Sequence, residues 1–204
     1  MDNLLGHKTA LNFILAVAAL LSTSLQNAIN DGKLGLEPNE LFVKKQIDGA
    51  SGIVKLIDSN TKQLDGVCSF DSDGRMNQNR AAVFNRLTVH YGTGNDGAGA
   101  GTIDYSDAIP AVLLNAEIVI SQEGRQVLRR SVRSIVAGDG SGVETKAGDQ
   151  YADLSSLRLL ADERDVQINL HFATGAAMPA AGAGTTPFIY VSLDALTTKK
   201  TAIS

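Results

Sequence analysis

Apolar and polar positions change their rhythm once along this chain. From Leu11 to Leu25 apolar residues dominate, and no Gly or Pro interrupts the run from Lys8 to Asp31. Ala and Leu favour helix. Thr9 can cap the start, and Asp31-Gly32 fits a stop with Gly32 in a left-handed cap. The pattern predicts one helix of about 20 residues. Phe13, Val17, Leu20 or Leu21, Ser24 and Ala28 follow three-to-four spacing, yet apolar residues fill most of the circumference in the middle. A helix apolar all round must be covered on several sides. Phe13, Val17, Leu20 and Leu21 are therefore expected to form an assembly interface. Membrane contact competes with that expectation, although the uninterrupted apolar core, Phe13 to Leu21, is shorter than the roughly 20 residues a spanning helix needs. A signal peptide fits loosely, because Lys8 precedes the apolar run but Asp2 also lies in the start.

From Leu41 onward the rhythm becomes that of short strands. Leu41–Ile47, Gly52–Ile57, Gln63–Phe70 and Asn85–Tyr91 come first, the last with Leu87, Val89 and Tyr91 on one face. Ala116–Ser121 and Gln126–Arg129 flank a turn at Gln122-Glu123-Gly124-Arg125, which predicts a hairpin. Val132–Ala137, Leu154–Leu160, Asp165–Phe172 and Phe188–Leu193 complete a series of roughly eight to ten strands at about ten-residue spacing. Such a series predicts a mainly β fold, a jelly-roll or β-sandwich domain with an N-terminal α-helix. The expected division is a helical arm over residues 1–40 and a β domain over residues 41–204. Gly-rich segments at Gly92–Gly101, Gly138–Gly148 and Gly175–Gly184 punctuate the strands. Loops of that length are uncommon in a compact domain unless they have a task.

Composition sharpens this picture. Aromatic residues make up 5% of the 204 and Trp is absent, so the core must be aliphatic. The net charge of -4 excludes nucleic-acid binding through bulk charge. Basic residues gather locally: Arg125, Arg129 and Arg133 would share one face of a continuous strand. That face reads as solvated or ion-paired, with a phosphate-contacting patch as the sharper alternative. The single cysteine, Cys68, rules out an intrachain disulfide and reads as a small core residue.

Candidate chemistry is sparse. Gly92-Thr93-Gly94-Asn95-Asp96-Gly97 matches the spacing of a dinucleotide-binding turn, but Ala98-Gly99-Ala100-Gly101 cannot start the helix that must hold the pyrophosphate. Asp71-Ser72-Asp73-Gly74 with Asn77 and Asn79 resembles part of a calcium loop, yet Gly stands at position four and Ala82 at position twelve, so a turn is the better reading. His7, His90 and His171 are not at metal-ligand spacing, although His90 and His171 could pair across a sheet. Asp162, Glu163 and Asp165 read as a solvated loop or helix cap. No cofactor and no enzymatic activity are implied.

The layout of a helical N-terminal arm, about eight strands, Gly-rich loops, few aromatics and no catalytic motif resembles that of jelly-roll capsid proteins of small bacterial viruses. The resemblance implies a structural, self-assembling subunit located in a virion. Its partners would be copies of itself and other virion proteins. The strongly basic N-terminal arm that many genome-binding coats use is missing, which leaves nucleic-acid contact weak or absent. Two alternatives come from other classes: a surface or filament subunit anchored by the apolar helix, in the membrane or at the cell surface, and a β-barrel ligand-binding module. Low aromatic content disfavours the last.

Overall fold

The computed structural model describes residues 6–136, 151–180, 182 and 185–200. The Gly138–Gly148 segment lies outside them, as does part of Gly175–Gly184.

The apolar N-terminal run does not form one helix. Helix α1 spans His7–Ala16, a 3-10 turn follows at Ala18–Leu20, and helix α2 spans Thr23–Asn30. Thr9 lies inside α1. Ser22 supplies the break: its hydroxyl accepts the Leu25 N–H at 3.3 Å and so caps α2. A serine that can serve the backbone in this way competes with helix continuation. The predicted stop at Gly32 is present. Gly32 takes φ 67°, its N–H reaches the Ile29 carbonyl at 3.0 Å, and the Lys33 N–H reaches Ala28 at 2.8 Å, a Schellman pattern.

Eight strands follow among the described residues: β1 Leu34–Gln46, β2 Ile53–Ile57, β3 Ala82–Gly94, β4 Glu117–Gln122, β5 Arg125–Ser131, β6 Ala152–Leu160, β7 Val166–His171 and β8 Thr186–Lys200. They make two antiparallel four-stranded sheets, ordered β1-β8-β3-β6 and β2-β7-β4-β5. Strand β1 begins at Leu34, seven residues before the first strand expected at Leu41; Leu34 pairs with Lys200 and the register holds unbroken to Gln46 opposite Phe188. The β4–β5 hairpin turns at Glu123-Gly124, with φ 49° and 77°, as a two-residue loop of the type that matches strand twist.

Two predicted strands are absent. Residues 63–70 make only isolated bridges, Leu64 to Cys68 and Cys68 to Val43. Residues Val132–Val136 are a short helix, α4, after another, α3, at Ala111–Leu114. His90 lies in β3 and His171 in β7, on different sheets, so they do not pair.

One aliphatic core draws on both sheets. Leu41, Phe84, Leu87, Val191 and Leu193 come from the first, and Ile118, Ile120, Ile168 and Leu170 from the second. Cys68 is a buried member of this cluster. A second cluster lies on the opposite face of the first sheet. Ala10 and Ile14 of α1, with Leu21 and Leu25, pack on Ala81, Val83 and Leu196. Strand alternation explains the two faces: Leu193 and Ala195 of β8 point to the main core, and Leu196 with Tyr190, Ser192 and Asp194 points outward. In β3 a bulge at Asn85, between Phe84 and Arg86, keeps Phe84 and Leu87 on the same inner side.

Candidate functional site

The outer face of the β1-β8-β3-β6 sheet is divided along its length. The helical arm covers the end that carries Leu34 and Leu36. The other end presents Glu40, Phe42 and Lys44 from β1, Tyr190 and Ser192 from β8, and Thr88 and His90 from β3, all in outward register. Tyr105 reaches the same cluster from the loop after β3, and Tyr151 from the residue before β6.

Glu40 is the hub. Its Oε1 accepts hydrogen bonds from the Tyr190 hydroxyl, from Ser192 at 2.6 Å and from Tyr151 at 3.1 Å. His90 stacks on Tyr190 at 5.6 Å and 19°, and its Nε2 lies 3.0 Å from the Thr88 hydroxyl. Tyr105 tilts against Tyr190 at 5.5 Å. The Lys44 ammonium lies 5.3 to 5.7 Å from the ring centres of Phe42, Tyr105 and Tyr190. Arg86 sits over Tyr151 at 5.2 Å and pairs with Asp194 at 3.2 Å.

Two glycines make this possible. A Cβ on Gly92 would meet the Asp104 carbonyl oxygen at 2.2 Å, and one on Gly94 would meet Ile103 Cδ1 at 2.3 Å. The loop can therefore cross β3 in close contact, fixed by Asp107, whose Oδ2 accepts from the Thr93 N–H at 2.8 Å and hydroxyl at 2.7 Å. The spacing that mimics a dinucleotide turn is the place where a loop packs on a strand.

The cluster is electrostatically settled. Burial would raise the Glu40 carboxyl, but the bonds from Ser192, Tyr190 and Tyr151 and the Lys44 charge together hold it below its ordinary value. Burial lowers His90, with Glu40 opposing. Burial pushes Tyr105 up to about 12 and, with the bond to Glu40, raises Tyr190 as well. Acid-base catalysis calls for values near the working pH. Here Glu40, Tyr105 and Tyr190 move away from neutrality, and burial lowers His90 against the pull of Glu40.

A second feature is a groove of about 610 Å³ beside α1, where the edge strands β5 and β6 approach each other. Phe13, Val17 and Leu20 form an apolar wall, with Arg125, Arg158 and Arg164 on the strand side. Three of the residues expected at an assembly interface thus line an open groove. Leu21, the fourth, is 5% exposed and belongs to the chain's own core.

The arginines expected to share a face are separated. A bulge between Ile120 and Ser121 sets Arg129 opposite Val119 and Arg125 opposite Gln122. Cross-strand partners share a face, and positions three apart on a strand do not, so Arg125 and Arg129 point to opposite sides. Arg129 binds Glu117 at 2.5 Å, and Arg133, now on α4, donates to Asn115 Oδ1 at 3.2 Å. The patch is replaced by an ion pair, a side-chain hydrogen bond and a groove-lining residue.

Asp162, expected in a solvated loop or helix cap, is 1% exposed and receives bonds from Ser22 and Asn79. Asp71 accepts from the Asn77 N–H at 2.7 Å and pairs with Arg80, which makes the calcium-like segment a braced turn. Among the described residues no group of three or more His, Cys, Asp or Glu is placed to hold a metal ion. Comparison with protein-family models, curated proteins and solved structures gives no match.

Proposed function

We propose that the two sheets close into a jelly roll and that the chain is a self-assembling structural subunit, the coat component of a virion. The observation that carries this reading is the strand pairing. Pairs β1·β8, β2·β7, β3·β6 and β4·β5 are nested like one long folded hairpin, and β3·β8 and β4·β7 join them into two sheets. A jelly roll has eight strands in two sheets and is an architecture of viral shells, and also of lectins and cupins. The settled electrostatics around Glu40 favour a structural over a catalytic role. Leu15, Ile53 and Leu64 are 48%, 64% and 58% exposed, apolar side chains open to a partner copy.

No described helix is long and apolar enough to cross a membrane, and Ala10 and Ile14 of α1 with Leu25 of α2 pack on the first sheet. Electron microscopy of particles from cells expressing the chain tests the proposal: regular closed shells are expected, and dispersed single subunits at high concentration would contradict it.

A further inference from the structure

Two surface features complement each other and lie at opposite edges of the fold. The groove belongs to the β5/β6 edge. The other edge of the first sheet is β1, and along its free side runs the turn Leu64–Cys68, held by the Val43–Cys68 bridge and by the Lys44 N–H on the Val67 carbonyl at 2.8 Å. At the tip of this turn stand Leu64, 58% exposed, and the exposed Asp65. An apolar side chain and a carboxylate therefore project side by side from one edge. An apolar wall and arginines recede side by side at the other.

The charges in the groove are unbalanced. Among the described residues its single acidic lining residue, Glu123, is paired with Arg164 at 3.1 Å. Among the described residues the buried Arg158 Nε has no hydrogen-bond partner. Three arginines against one paired glutamate leave the groove with an excess of positive charge, which an incoming carboxylate balances.

We infer that the Leu64–Asp65 turn of one copy docks into the groove of the next, Leu64 against Phe13, Val17 and Leu20, and Asp65 on Arg158. The inference rests on the assembly reading and supplies its contact. Because turn and groove are different surfaces on opposite edges, the contact is head to tail, and repetition gives a ring or shell if the rotation closes. It also explains why Phe13, Val17 and Leu20 stay partly open within one chain.

Leu64 and Asp65 are exposed, so their substitution spares the fold; an unchanged thermal unfolding profile verifies this for each variant. Leu64→Asp and Asp65→Arg are each expected to weaken self-association at least about tenfold, a loss of about 1.4 kcal/mol. Adding Arg158→Asp to Asp65→Arg is expected to restore it, since the swap rebuilds the pair. In a separate variant, Leu64→Cys with Leu20→Cys is expected to give a ladder of disulfide-linked multimers on oxidation. A ladder that stops at dimers overturns the head-to-tail arrangement. Wild-type assembly that all these variants share overturns this contact and leaves assembly standing. A wild-type chain that is monomeric at every concentration overturns both.

Discussion

Ser22 grips Asp162 with two groups at once: its backbone N–H donates to Oδ1 at 3.0 Å and its hydroxyl to Oδ2 at 2.5 Å. The residues are 140 positions apart. The same hydroxyl caps α2, and the Asn79 N–H donates to the same carboxylate at 3.2 Å. One buried acid thereby ties the helical arm to the end of β6 and to the segment before β3. Asp162→Ala strands these donors and is expected to cost about 1–3 kcal/mol for each group left buried without a partner. Ser22→Ala loses the cap and one bond, about 1–2 kcal/mol. Urea unfolding of each variant measures the effect, and a change within error would show that the tie contributes nothing.

The arm packs its buried side chains onto the outer face of the first sheet. Leu25 and Ile14 are fully buried on Val83 and Leu196. Leu25→Ala is expected to cost about 2–5 kcal/mol. Removing residues 1–31 uncovers the outer face of the sheet and leaves Asp162 without Ser22, so the remaining β domain is expected to unfold at a lower temperature or to aggregate. A truncated chain as stable as the full one would refute this.

Acid should weaken the fold in two stages. Burial depresses His90, so its contribution is present above its ordinary value of 6.5 and is lost as pH falls through the lower folded-state value. Glu40 is also depressed, and its contribution is present above 4.5 and lost below that. Glu40→Gln is expected to abolish the lower stage. It should also deepen the His90 depression, because the Glu40 charge opposes it. Denaturation midpoints across pH, compared for wild type and Glu40→Gln, read both effects; parallel curves would contradict them.

Gly92→Ala tests how the loop presents Tyr105. The new methyl would collide with the Asp104 backbone oxygen, and overpacking of this kind typically costs about 1–3 kcal/mol. Tyr105 should then leave its half-buried place and ionise nearer 10 than 12. For the wild type the raised value means that stability present below pH 10 is lost as pH rises toward 12. Phenolate absorbance of the folded protein follows the titration, with Tyr105→Phe to identify the signal.

How much of this was legible differs from place to place. Period-two alternation marks Leu87 and Val89 without knowledge of a partner strand. The Gly32 stop and the Glu123-Gly124 turn are local conformational demands and were equally readable. The break at Ser22 was not, because its decisive partner, Asp162, is remote in sequence. The Glu40 cluster was hidden for the same reason: β1, β3, β8 and two loops each contribute only one to three of its residues. The Arg125–Arg129 separation depends on a bulge, which shifts parity by one residue and leaves no mark in the alternation of charges. Residues 132–136 carry strand-like apolar residues, yet the chain there turns into α4 and buries Val132 and Ile135 as a helix.

The most direct test of the account is the molar mass of the purified chain by light scattering behind size exclusion, across a range of concentrations. The account predicts species many times the 21.4 kDa of one chain, with closed or ring-like particles in the largest peak. A single species of one-chain mass at every concentration would contradict it.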